Sequence, residues 1–315
     1  MNKISSSLAV VIFTFGFFGC NSGDDGLDVN DSNEIRLTAG VKSLSLRSSL
    51  GPLDKDFTVD FPIGIYAYNV AWKAGATNLI SNKNATVKGT ASHDVTFENS
   101  TVYYYPTDGS IVEFRAFAPQ GTESAEATAG TAPKVNIVIN GHDDVMFAKA
   151  TGFKAGSAPA SNPVLNFDHL LTQLRFTLKT DQTYTSTVAK VVSLKLKQQP
   201  SIVTLDVEEG DITFGSTNLI DMEAITANSQ TGIGSVAVDT RSPLMTRPGA
   251  SYSLEVVVQP DPADAAKTVT YDATITADGS TGVANMITLT FTAKGITATA
   301  TVADWITGDG GSVIL

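Results

Sequence analysis

A chain of 315 residues is long enough for two domains with a core each. Its 21 basic side chains face 32 acidic ones, and the net charge of -11 repels phosphate backbones and argues against nucleic acid as a partner. Only 17% of residues are charged while 42% are hydrophobic, and the remainder is rich in Thr, Ser, Ala and Gly, a mixture that suits exposed β-sheet better than charged-faced helices.

Lys3 followed by the apolar run Leu8 to Phe18 reads as a secretory signal, too short to span a bilayer as a permanent helix. It closes on Phe17-Phe18-Gly19-Cys20, which resembles a lipobox, with Phe17 where Leu is usual. Cys20 is the only cysteine, so no disulfide forms within the chain. A buried structural cysteine is the plain reading of a lone thiol, and its place at the end of a leader favours lipidation. Residues 1–19 are thus read as signal peptide. Residues 20–33, with Asp24, Asp25, Asp28 and Asp31 among Gly and Ser, are read as a solvated acidic tether.

From Glu34, the alternation of Ile35, Leu37 and Ala39 predicts a first strand. The segment SLSLRSSLGP then ends on the turn signal Gly51-Pro52, leaving Arg36, Lys42 and Arg47 in a polar setting. Phe61 to Ala71 reads as a core strand, and Asn78 to His93 as a hairpin or loop. Val102 to Pro119 is expected to form a hairpin around Asp108-Gly109. Glu123 to Thr131 reads as a loop, Lys134 to Ile139 and Asp144 to Ala148 as strands, and Gly152 to Asn162 as a loop.

At Asn166 to Lys179 the rhythm changes. Phe167, Leu170, Leu171 and Leu174 stand at helical spacing, then Leu174, Phe176 and Leu178 alternate, so a short helical turn feeding a strand is expected at a seam between domains. Beyond it, further alternating segments run to Trp305, including Gly234 to Val238, none with the period of an amphipathic helix. An all-β chain of two antiparallel sandwiches, 34–180 and 181–315, is the economical solution. The likeness in pattern of Ser110 to Pro119 and Ser251 to Pro260 supports two related halves.

Taken in order behind the lipobox, VYYYP with IVEFRAFAP, DDVMFA at 143–148, FDHLLTQLRF at 167–176, PGASYSLEVVV at 248–258 and ITATATVADWITGDG at the close resemble the fimbrillin family. These are the Mfa-like, lipoprotein-derived subunits of the type V pili of Bacteroidales. The resemblance implies two tandem transthyretin-like antiparallel β-sandwich domains. It also implies a surface precursor held in the outer membrane by lipid on Cys20, cut by a maturation protease after a basic residue, and assembled with other fimbrial subunits by strand exchange. Carried over, the strand to be lost is Ile35 to Val41. Cleavage falls after Arg47, with Arg36 and Lys42 as second choices, and the other reading of Arg47 is an ordinary solvated arginine. The C-terminal stretches Ile296 to Trp305 and Gly311 to Leu315 are the place for a donor, although the last is short and Gly-rich. A host or bacterial surface receptor would be the adhesive partner.

No enzyme site emerges, and no cofactor or metal is expected. His93, His142 and His169 lie far apart in sequence without metal-ligand spacing. His169 reads as a packed structural histidine within a motif of Phe167, Leu171, Leu174 and Phe176, and Trp305 as a plug for the second sandwich. Gly141 to Asp144 and Asp261 to Asp264 could bind calcium but suit tight turns better. Tyr103 and Tyr105 share a face for core packing with their hydroxyls at the rim, and Trp72 is the candidate for an exposed contact. Against the fimbrial reading stand a tip or anchor subunit that need not donate a strand, and a monomeric surface lipoprotein that binds glycan or peptide with its loops.

Overall fold

The computed structural model describes residues 33–42, 57–74, 77–156, 158, 160–184, 188–240 and 243–303. Their regular structure is twenty-one strands, numbered here in chain order, and one 3-10 turn at Glu98–Ser100, so the fold is all-β.

The first sheet has seven strands in the order β1 (Thr38–Val41), β9 (Val164–His169), β8 (Met146–Gly152), β5 (Val112–Ala118), β2 (Phe61–Asn69), β3 (Ile80–Val87) and β4 (Val95–Phe97). A bridge from Thr38 to Asp94, the residue before β4, brings its two margins together, and the sheet is a nearly closed barrel. Alternation fills it: along β2, Phe61, Ile63, Ile65 and Ala67 join the inner core while Tyr66 and Tyr68 join the outer one. β5 repeats this with Val112, Phe114 and Ala116 against Phe117. Both faces of these strands are buried, because a second core covers the outside of the barrel.

Three further sheets enclose that second core. One is β13 (Ile212–Phe214), β12 (Ile202–Asp206), β7 (Lys134–Val138) and β6 (Thr122–Ala125). Another is β14 (Leu219–Ile225), β11 (Lys190–Pro200), β18 (Ser251–Gln259) and β19 (Val269–Thr276), with β15 (Thr231–Gly232) on β11. The last is β16 (Val238–Asp239), β10 (Thr172–Thr180), β20 (Ala284–Thr292) and β21 (Gly295–Ala303), with β17 (Leu244–Thr246) on β10. β11 and β12 form nearly one run. Gln198, at φ 56, and a register shift between Leu196 and Gln199 bend it from one sheet into the next.

Several expected local structures differ. No helical turn occurs at Asn166 to Leu174: Leu165 and Phe167 point into the barrel from β9, whereas Leu171, Leu174, Phe176 and Leu178 belong to the second core. The changed spacing marks a change of core, made where Leu170 N donates to Val145 O at 2.8 Å, and not a change to helix. The hairpin at Val102 to Pro119 does not form either. Its turn is present, with Gly109 at φ 74, but β5 pairs with β2 and β8. Within Glu123 to Thr131, the start is strand β6 and not loop, and Gly234 to Val238 becomes strand only at its end, in β16.

Candidate functional site

Residues 33–42 close the barrel, and the sequence shows why they can. Ile35, Leu37, Ala39 and Val41 alternate inward and are no more than 5% exposed. Backbone groups then bond on both edges. Toward β9, Thr38 N donates to Pro163 O at 3.2 Å and Lys42 N to Phe167 O at 2.9 Å, in parallel register from Thr38 opposite Val164 to Val41 opposite Phe167. Toward the other margin, Ile35 N donates to Tyr103 O at 2.8 Å, Tyr105 N to Asn33 O at 2.7 Å, Val95 N to Leu37 O at 2.9 Å and Ala39 N to His93 O at 2.9 Å. The outward side chains make only surface ion pairs: Arg36 with Glu34 at 2.9 Å and Lys42 with Asp168 at 2.7 Å.

Burial of one Ile, one Leu and one Val contributes roughly 5–9 kcal/mol. That is comparable to the whole stability of an ordinary domain, about 5–15 kcal/mol. The surface pairs add at most about 1 kcal/mol each. A barrel without this segment would expose a groove between β9 and the 93–95 and 103–105 stretches, floored by Phe61, Phe97 and Phe167. Unpaired backbone groups would line both sides. Such a groove is a template for another strand.

The structure separates the residues that the sequence groups together. Phe167 lies inside the barrel, while Leu171, Leu174 and Phe176 lie in the second core, all fully buried. His169 is buried at the end of β9 with Nδ1 2.5 Å from Asp144 Oδ2. Of the basic residues, Arg36 is held within the closing segment, and Lys42 is its exposed last residue. Cys20, Arg47, Trp305 and Gly311 to Leu315 lie outside the described residues.

Trp72 is not an exposed contact: it is 6% exposed, stacks on Tyr68 with ring centroids 4.1 Å apart, and its Nε1 donates to Glu208. Tyr105 is buried and donates its hydroxyl to Ser161 O at 3.1 Å, while Tyr104 faces solvent. Gly141 to Asp144 is a turn in which Asn140 Oδ1 accepts from His142 N at 2.8 Å. Asp261 likewise caps its own turn, accepting from Ala263 N at 2.9 Å. Among the described residues no group of three His, Cys, Asp or Glu is placed to hold a metal ion. No helix among them is long and apolar enough to cross a membrane.

Sequence reasoning missed the polar rivet that fixes the barrel to the second core. Arg115, on the outward face of β5, bonds Glu208 Oε1 at 3.0 Å, Glu208 O at 3.1 Å and Glu113 at 3.2 Å, and its Nη2 donates to the Tyr68 hydroxyl at 2.9 Å. Burial and the carboxylate of Glu208 push the Tyr68 hydroxyl up to about 12. Burial also opposes ionisation of Glu208, yet Trp72, Arg115 and Tyr68 outweigh it and hold the carboxyl below its ordinary value. The sequence signal was a pair of charges, Glu113 and Arg115, inside a strand that is otherwise apolar. Its partner Glu208, 93 residues away, has no local signature.

The chain matches the model of the fimbrillin-like family over residues 51–305. Two solved structures share its fold. A candidate cell adhesion protein of Bacteroides uniformis superposes with a TM-score of 0.55 at 19% identity, over 87% of this chain and 99% of that one. A candidate cell adhesion protein of Bacteroides ovatus gives 0.54 at 18% identity, over 88% of this chain and 99% of that one. No curated protein matches.

Proposed function

We propose that this chain, which belongs to the fimbrillin-like family, is a cell-surface fimbrial subunit whose closing segment is a removable plug. The precursor is tethered to the outer membrane by lipid on Cys20. A maturation protease cuts after Arg47, with Lys42 and Arg36 as second choices, and a cut after Arg47 or Lys42 lets residues 33–42 leave with the tether. The vacated groove then takes a strand from another fimbrial subunit, and the filament serves adhesion. The observation that supports this most is the double-edged backbone bonding of residues 33–42 in an otherwise nearly closed barrel. Residues 43–56, which join it to Phe57 along the chain, contain Arg47.

The same reading divides the chain into two transthyretin-like sandwich domains, 34–180 and 181–315. β10, on the first side of that division, lies in a sheet with β20 and β21. Limited proteolysis with mass mapping tests the boundary.

The deciding experiment treats the lipid-free chain with an Arg-specific protease, reads the new N-terminus by mass spectrometry and follows size by gel filtration. A cut after Arg47 followed by ladders of oligomers is expected, and Arg47→Ala should block both. A chain that is cut and loses residues 33–42 yet stays monomeric overturns polymerisation. A tip or anchor subunit, or a monomeric glycan- or peptide-binding lipoprotein, would then take its place.

A further inference from the structure

One end of the barrel carries a row of exposed apolar residues. The rung that joins Asn69 of β2, Val112 of β5 and Gly152 of β8 is the last before that end. The residues just beyond it are Val70, Ile111 and Phe153, which are 89%, 57% and 48% exposed. Single apolar residues on a surface are ordinary, but three on neighbouring strands make a patch. Val70 is also held at φ 70, a strained conformation that β-branched residues rarely adopt. Strain that presents an apolar group to water, instead of burying it, points to a contact outside the chain.

The closing segment enters the barrel at this same end. Tyr105 N donates to Asn33 O at 2.7 Å, and the Tyr105 hydroxyl donates to Ser161 O at 3.1 Å. Ser161 Oγ in turn accepts from Phe153 N at 2.7 Å. Hydrogen bonds thus run from residue 33 to the apolar row, with the exposed Tyr104 bridged to Glu34 beside it.

Between Asn33 and the lipid proposed on Cys20 stand residues 20–32. A solvated tether of that length spans about 20 Å on average and about 45 Å at full stretch. β2 has nine residues and is about 30 Å long at 3.3 Å per residue, so the tether brings the near end of the barrel to the bilayer far more readily than the far end. A surface held that close needs only a weak contact to stay on the bilayer. We infer that this end of the barrel, through Val70, Ile111 and Phe153, rests on the lipid surface in the anchored precursor. The inference rests on the reading of Cys20 as the lipid-bearing residue.

The test couples the single thiol of the lipid-free chain beginning at Cys20 to maleimide-phosphatidylethanolamine in phosphatidylcholine vesicles. Hydroxyl-radical footprinting with mass mapping compares it with the same chain free in solution. Oxidation of Ile111 and Phe153 should fall about threefold or more on the vesicles. Phe214 of β13 and Tyr271 of β19, half-buried on sheets around the second core, should not change. Val70→Asn with Ile111→Ser removes two apolar side chains and relieves the strain, so Phe153 should return to within about twofold of the free chain with a thermal midpoint that is not lowered. The inference is overturned if Ile111 and Phe153 react equally in both forms, or are already protected in the free chain. Protection that appears only in oligomers made by the protease also overturns it, and assigns this end to a neighbouring subunit. Lipid on Cys20 is read separately from the mass of the native N-terminal peptide, and assembly from size, so each idea can fail alone.

Discussion

Leu37→Ala is the sharpest probe of the closing segment. Leu37 is 2% exposed inside the barrel, so its truncation removes buried methyl groups and leaves a cavity. A cost of about 2–4 kcal/mol is expected, and it should fall on the docking of residues 33–42 before it falls on the rest of the molecule. This segment is short and has four inward side chains, whereas β11 runs eleven residues, Lys190–Pro200, paired on both sides over most of its length. Local opening of the segment should therefore rise roughly 30- to 700-fold, since 1.4 kcal/mol is a factor of ten. Amide hydrogen exchange reads this directly at Ala39, bonded to His93 O, and at Lys42, bonded to Phe167 O. Cleavage at residues 43–56 followed by oligomer growth should quicken in the same variant. The reasoning fails if exchange at Ala39 and Lys42 is unchanged while the amides of β11 speed up, because the segment would then be part of one cooperative unit with the second core. Arg36→Ala, which loses only an exposed pair, should change exchange by less than about fivefold.

Arg115→Met breaks the rivet between barrel and second core. With the Glu208 side chain 34% exposed and partly screened, a loss of about 2–3 kcal/mol in urea denaturation is expected. Glu208 also predicts a pH response. Its folded pKa lies below the ordinary 4.5, so the unfolded chain takes the proton first on acidification. Its contribution is complete above that value and is lost as the pH falls through the lower folded pKa. Urea midpoints measured from pH 6 to pH 3 should therefore fall less steeply in Glu208→Gln than in the parent, and parallel declines would contradict the assignment. Gly210 sits at φ +84 with the Phe147 ring 2.2 Å from where a Cβ would stand, so Gly210→Ala should cost about 2–4 kcal/mol by the same denaturation assay. His169→Ala leaves Asp144 buried without its imidazole partner and should cost about 2–4 kcal/mol, visible as a lowered thermal midpoint.

Much of this was written in the chain. The two-residue alternation of Phe61 to Tyr68, Lys134 to Val138 and Ser251 to Gln259 dictates strands, because only a pleated chain puts such residues on one face. The inward set Ile35, Leu37 and Ala39 was likewise legible. What sequence could not say was which strand meets which. Asp108-Gly109 makes its turn, but the residues on either side of that turn bond to different partners, because pairing is decided by the fit of side chains far apart in sequence. Trp72 stands beside Lys73 and a Gly-containing stretch and looked exposed, yet Glu208, 136 residues away, draws it inward. Local patterning settled the conformation of those strands, but at Asn166 to Leu174 a change of core imitated helical spacing, so there only the tertiary structure decided. The closure of the barrel by residues 33–42, and with it the groove, exists only when Asp94, Tyr103 and Val164 are brought to one place.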